Sequence, residues 1–245
     1  MKTVKDIIAQ KSKQERITML TAYDYPTASY LDEAGIDIIL VGDSLANVVL
    51  GLESTTQVGM NEMLHHTRAV VRAVKNALVV SDMPFDSYQL DPRAAVDNAR
   101  KFIEEGCQAV KLEWFEDCPK VVSAITKAGI AVMGHVGLTP QTARDIGGMK
   151  VQGKDAASAQ AIIKNAKVMQ DSGCFSVVLE CIPREVAQVI TGQLKIPTIG
   201  IGAGPHCDGQ VLVIHDVLGL FSRYQPKFSK KYADQIGRAS CRERV

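Results

Sequence analysis

Short apolar runs, each closing on a small polar or charged side chain, recur along this chain and are separated by longer amphipathic stretches. The clearest run is 36–44, Ile-Asp-Ile-Ile-Leu-Val-Gly-Asp-Ser. An almost uninterrupted apolar run of this length reads as a strand covered on both faces, the pattern of a parallel sheet. Comparable runs occupy 17–23, 78–84, 109–114, 130–136, 175–181, 197–204 and 211–217. Between them the spacing predicts helices over 4–12, 26–35, 61–75, 91–106, 119–129, 156–173 and 183–194. Pro26 and Pro92 stand at first-turn positions and Gly35 at a helix end, as the N-terminal proline and C-terminal glycine preferences require. Residues 55–58 read as extended loop and 137–154 as a Gly-rich loop, and no full helix is predicted between the last two strands. Strand–helix alternation repeated this often predicts a single-domain (β/α)8 TIM barrel over 1–236.

Composition narrows the partners. The chain has 245 residues, 46% hydrophobic and 22% charged, which suits a soluble globular domain with a sizeable core. A formal net charge of +1 gives no reason to expect nucleic acid or an anionic membrane. No apolar run is long enough to span a bilayer, and the start, Met-Lys-Thr-Val-Lys-Asp-Ile-Ile, lacks a secretory core. The six cysteines form no Cys-x-x-Cys pair and no disulfide framework, so free thiols in a reducing cytoplasm are expected, and they do not cluster with histidines as zinc ligands. Residues 237–245, Gly-Arg-Ala-Ser-Cys-Arg-Glu-Arg-Val, have no helical apolar period and resemble a vector read-through tail.

In a parallel barrel every strand end points to one mouth. Asp43, Asp82, Glu113 and Glu180 are then expected to meet there, with Ser44, Lys111 and His135. Lys111 and Glu113 lie two apart on one strand and share a face. Four carboxylates repel one another, and one lysine does not balance them. A hard divalent ion does, and oxygen ligands of this kind suit Mg2+. Such a site can activate a 2-oxo acid: the metal polarises the ketone and stabilises an enolate, Lys111 and Ser44 hold the acid group, and a further carboxylate removes the α-proton. Plainer readings stand beside these. Asp43 and Asp82 are also common loop caps, Lys111 and Glu113 can form a structural ion pair, Glu180 can cap the helix after Pro183, and His135 can be a packed histidine. Gly200-x-Gly202-x-Gly204 is read as close packing rather than a phosphate cradle. His65-His66 is expected at the surface or core of a helix.

Several motifs together resemble the ketopantoate hydroxymethyltransferase family. They are Val41-Gly42-Asp43-Ser44, Ser81-Asp82-Met83-Pro84-Phe85, Val110-Lys111-Leu112-Glu113, Gly134-His135-Val136-Gly137-Leu138-Thr139-Pro140-Gln141, Leu179-Glu180-Cys181-Ile182-Pro183 and Ile199-Gly200-Ile201-Gly202-Ala203-Gly204. Thr21-Ala22-Tyr23-Asp24 and Lys150-Val151-Gln152-Gly153 fit as well. The resemblance implies a Mg2+-dependent barrel enzyme that takes the one-carbon unit of 5,10-methylenetetrahydrofolate. Asp43, Asp82 and Glu113 then match the metal-site acids. Ser44 and Lys111, with Asp43 and Asp82, match the groups that hold the oxo acid, Glu180 matches the proton acceptor, and His135 matches a rim residue assigned to substrate. The family's decameric assembly implies a homo-oligomer. The rival readings are a Mg2+-dependent 2-oxo acid lyase of a related barrel and a non-catalytic barrel.

Overall fold

The computed structural model describes residues 1–143 and 148–233. In chain order the elements are α1 (Val4–Lys13), β1 (Ile17–Thr21), α2 (Tyr25–Glu33), β2 (Ile38–Val41), α3 (Leu45–Val48), α4 (Met60–Ala73), β3 (Leu78–Asp82), α5 (Pro92–Glu104) and β4 (Ala109–Glu113). They continue with α6 (Cys118–Lys127), β5 (Ala131–Gly137), α7 (Ala156–Asp171), β6 (Ser176–Glu180), α8 (Arg184–Gln193), β7 (Thr198–Ile201), β8 (Gly209–Leu212) and α9 (Ile214–Leu218). The strands form a closed barrel in sequence order, and β1 completes it by pairing in parallel with β8, Ile17 opposite Gly209. The expected (β/α)8 barrel is the observed one.

Side-chain alternation along the strands sorts the core into two shells. Ile17 and Met19, Ile38 and Leu40, Leu78 and Val80, with Ala109, Met133, Val178, Ile199 and Val211, fill the barrel interior. Their neighbours Ile39, Val41, Val79, Val110, Val132 and Val177 face the helices. That is why the runs are apolar throughout: both faces are covered.

Ile7 of α1 belongs to the interior cluster and is fully buried, so α1 closes the end of the barrel where the strands begin. Lys2 and Gln10 pair there with Asp37, and Lys11 with Asp208 at 2.8 Å. Ile7→Ala should cost about 2–5 kcal/mol, the range for truncating a large core side chain. Urea unfolding measures this. Activity below the transition should be unchanged, because the mouth is at the other end.

Three expectations need correcting. Residues 55–57 make a 3-10 turn, not extended loop, because Ser54 Oγ accepts from Thr56 N and Gln57 reaches back to Ser54 N at 2.9 Å. The eighth strand is Gly209–Leu212 rather than 211–217. Ile214 N donates to Thr21 Oγ1 at 3.0 Å, and the chain turns into α9, so His215 and Asp216 are helical. The stretch 36–44 is a strand only over Ile38–Val41, and Ser44 leads into the short α3, which the sequence reading did not anticipate. The connection from β7 to β8 carries no helix, as expected, and turns instead through Gly202 and Gly204 at φ 64° and 79°. Among the described residues no helix is long and apolar enough to cross a membrane. The tail expected at 237–245 lies outside the described residues.

Candidate active site

The interior face continues past the apolar layers into the ionisable groups. Two residues beyond Val80 is Asp82, beyond Ala109 come Lys111 and then Glu113, beyond Met133 is His135, and beyond Val178 is Glu180. Strand register sets which of these meet. Lys111 lies opposite Asp82, His135 opposite Glu113, and Glu180 opposite Gly137. The consequence is a Lys111 Nζ–Asp82 Oδ1 ion pair at 2.7 Å. Beside it, His135 stands between two acids, with Nδ1 3.4 Å from Glu113 Oε1 and Nε2 3.2 Å from Glu180 Oε2. Neither ring nitrogen makes an aligned hydrogen bond, so these contacts are ion-pair contacts. Asp82, Lys111, Glu113 and His135 are buried, while the Glu180 side chain keeps 16% of its surface open.

Asp43 and Ser44 arrive on the turn after β2. Asp43 N donates to Asp82 Oδ2 at 3.1 Å, which joins two of the candidate ligands. A Cβ at Gly42 would stand 2.8 Å from Ser44 Oγ and 3.6 Å from Asp82 Oδ2, so the turn is built around a missing side chain. Ser44 Oγ is held by Tyr23 OH at 2.8 Å, and the Tyr23 carbonyl is met by His66 Nδ1 at 2.7 Å. Asp43 Oδ2 accepts from Gln141 Nε2 at 2.9 Å, and Glu113 Oε2 accepts from Gln141 N at 3.0 Å.

Two of the plainer readings do not match the geometry, the Lys111–Glu113 pair and the Glu180 cap. Lys111 pairs with Asp82, not Glu113. Pro183 occupies the cap position of α8, and no side chain bonds there. Ser44, at the cap of α3, makes no side-chain cap bond, and the Asp43 carboxylate turns to Gln141 instead. The glycine run does pack closely: a Cβ at Gly200 would lie 2.9 Å from Cys207 Sγ. Tyr23, Tyr88 and Gln141 had no assigned role. A neutral amide or phenol leaves no charge pattern in a sequence, although Gln141 sits in the Thr-Pro-Gln loop already noted.

Electrostatics follow from the crowding. Burial together with the Asp82 and Glu113 charges pushes Asp43 up to about 7, against relief from Lys111 and Gln141. For His135, burial and the Lys111 charge pull downward, but Glu113 and Glu180 outweigh them and carry it up to about 9. Burial also opposes the Lys111 charge, and Asp82, Asp43 and Glu113 overcome it, so its pKa is raised. Four acids thus face two cations. That negative excess and an all-oxygen acid set fit a hard divalent ion. The acids are not a ready-made cluster: among the described residues no three His, Cys, Asp or Glu side chains are gathered to hold an ion. Each carboxylate is drawn instead to a protein donor. Mg2+ takes one or two protein carboxylates and fills its remaining positions with water or substrate, so the fit rests on the linked Asp43 and Asp82.

These shifts carry a pH prediction for protein kept in chelator. Asp43 rises from 3.8 to about 7 and His135 from 6.5 to about 9, so the folded state holds both protons more tightly than the unfolded chain. The stability that Asp43 contributes is complete below 3.8 and lost as pH climbs to about 7. That from His135 is complete below 6.5 and lost by about 9. Urea midpoints should therefore fall across both windows, and Asp43→Asn should flatten only the lower one.

Comparison with known proteins places nearly the whole chain in one family. A model of the family described as ketopantoate hydroxymethyltransferase matches residues 1–241. The 3-methyl-2-oxobutanoate hydroxymethyltransferase of Syntrophus aciditrophicus (strain SB) is 57% identical over 233 residues, covering 95% of this chain and 86% of that protein. The enzyme of that name from Syntrophomonas wolfei subsp. wolfei is 54% identical over 233 residues, covering 95% of this chain and 84% of its own. Among solved structures, phosphonopyruvate hydrolase in complex with oxalate and Mg++ aligns with a TM-score of 0.66 at 12% identity, over 87% of this chain and 81% of that one. At that identity the likeness is one of fold.

Proposed function

The chain belongs to the ketopantoate hydroxymethyltransferase family, and on that premise we propose that it moves a hydroxymethyl group from 5,10-methylenetetrahydrofolate to 3-methyl-2-oxobutanoate. The products are 2-dehydropantoate and tetrahydrofolate, on the way to pantothenate. The observation that supports this reading best is the inward row at the mouth, where the Asp82–Lys111 pair adjoins the Glu113–His135–Glu180 row. One side concentrates charge for binding an oxo acid. The other ends in a carboxylate open enough to reach it.

The difficult step is removal of the C3 proton, which leaves negative charge on a tertiary carbon next to the ketone. Asp43 and Asp82, with Glu113 close by, would hold Mg2+, which when bound would supply Lewis acidity for this developing charge. Lys111 adds a fixed positive charge, and Ser44, held by Tyr23, adds a hydroxyl for the substrate's acid group. Glu180 takes the C3 proton, directly or through a water. His135, protonated between its two acids, holds Glu180 in place and offsets the charge of Glu113. It serves the oxo acid through Glu180, since both ring nitrogens already face carboxylates. The C3 carbanion then forms the new C–C bond to the methylene carbon of the folate. Both C–N bonds to that carbon break, a water supplies the hydroxyl, and the other proton of that water and the C3 proton end on the two folate nitrogens. A homo-oligomer working in the cytoplasm on small-molecule substrates is part of the same reading.

Proton NMR of the protein with 3-methyl-2-oxobutanoate in D2O tests it. C3 deuterium exchange should require Mg2+, and 2-dehydropantoate should form only once methylenetetrahydrofolate is added. Turnover of the oxo acid without folate would point to a lyase, and neither exchange nor product would overturn the proposal.

A further inference from the structure

Gln141 reaches two of the metal-site acids and is itself buried, yet its amide can neither move a proton nor carry charge. It lies in the 3-10 turn Pro140–Thr142 after β5, a turn fixed by Thr142 N on Thr139 O at 3.0 Å and by the Thr139–Thr142 hydroxyl pair at 2.7 Å. Every hydrogen-bonding group of its amide is used. Nε2 donates to Asp43 Oδ2 at 2.9 Å and to the Met83 carbonyl at 3.1 Å, and Oε1 accepts from Tyr88 OH. Its backbone N–H serves Glu113 Oε2. Tyr88 is buried beside Phe115, and its oxygen in turn accepts from Glu113 N at 3.4 Å. The bonds close a ring: Glu113 backbone to Tyr88, Tyr88 to the Gln141 amide, Gln141 backbone to the Glu113 carboxylate.

Resting on the reading of Asp43 and Glu113 as metal-site acids, we infer that Gln141 is a positioning residue that fixes both carboxylates for a divalent ion, with Tyr88 setting its amide. The amide has one workable orientation. Turned over, its oxygen would face the Asp43 carboxylate and the Met83 carbonyl, both acceptors. A donor on Oδ2 fixes the plane of the Asp43 carboxylate, and a donor on Oε2 does the same for Glu113. A neutral donor suits this task. Lysine or arginine in its place would bind the same oxygens but cancel the negative excess that draws the cation.

Mn2+ serves as the probe, with free ion counted by electron paramagnetic resonance and folding followed by circular dichroism. Gln141→Leu keeps much of the volume and removes the amide. It should bind Mn2+ roughly 10–100-fold more weakly than wild type, the range for losing a partner of a metal ligand. Tyr88→Phe should weaken binding less, and adding it to Gln141→Leu should weaken binding by less than the two single effects combined, since Tyr88 acts chiefly through the Gln141 amide and only by a long 3.4 Å contact on Glu113 N directly. A Gln141→Leu protein that melts earlier but binds Mn2+ like wild type would overturn the positioning role and leave the metal reading intact. Wild type that binds no Mn2+ would overturn the metal reading, and the inference with it. Should Gln141→Leu fail to fold, Tyr88→Phe decides: weakened binding sustains the inference and unchanged binding ends it.

Discussion

Glu180→Gln is expected to abolish C3 hydrogen exchange from 3-methyl-2-oxobutanoate while leaving the oxo acid able to bind. The groups that hold the acid in the proposed mechanism, Asp43, Ser44, Asp82 and Lys111, come from the turn after β2 and from β3 and β4, whereas Glu180 closes β6. Glutamine keeps the shape of the side chain and its oxygen for His135, and removes only the basic carboxylate. A positioned general base contributes about 10²–10⁴-fold to a proton transfer, so exchange should fall by at least that lower figure. Calorimetric affinity for the oxo acid should stay close to wild type. Exchange that survives would transfer the base role elsewhere, and lost affinity would show Glu180 to be a binding group.

The same spacing that located the strands also brought most of the candidate residues to one mouth, and for one reason. In a barrel with both faces covered, a charged residue at an inward position of an apolar run has nowhere to go except the mouth, so Asp82, Lys111, Glu113, His135 and Glu180 stand out against Val80, Ala109, Met133 and Val178. What spacing does not carry is the partner across the sheet. Lys111 and Glu113 look paired in sequence, but two residues along a strand separate them by roughly 6.6 Å, while a neighbouring strand is about 4.8 Å away. Register therefore gives Lys111 to Asp82 and Glu113 to His135. The Gln141–Asp43 bond spans 98 positions of the chain and leaves no local trace at all. Boundaries failed where a single hydrogen bond decides them: Thr21 Oγ1 taking Ile214 N begins α9 inside an apolar run that reads as strand.

Lys111→Met should produce the largest loss of stability of any change at the mouth, and the loss should depend on pH. Methionine fills much of the lysine stem's space, so the cavity term is small and the charge term dominates. Removing the cation leaves Asp82 without its 2.7 Å partner and removes the charge that restrains Asp43, with Glu113 still nearby. Stranding a buried charge in this way costs about 3–5 kcal/mol. The protein's remedy is to protonate a carboxylate. Without Lys111 the folded-state pKa of Asp43 moves still further above 3.8, so the damage is greatest where that acid must ionise and shrinks as pH falls. Urea unfolding in chelator at neutral and at mildly acidic pH measures this difference directly. An equal loss at both would mean that Lys111 contributes packing rather than charge. The oxo acid would then have to be held by the metal and Ser44 alone, and its KM in the variant should barely move. If charge is what Lys111 supplies, KM should rise together with the pH-dependent instability, because in the proposed mechanism one ammonium both steadies the acids and receives the substrate's carboxylate.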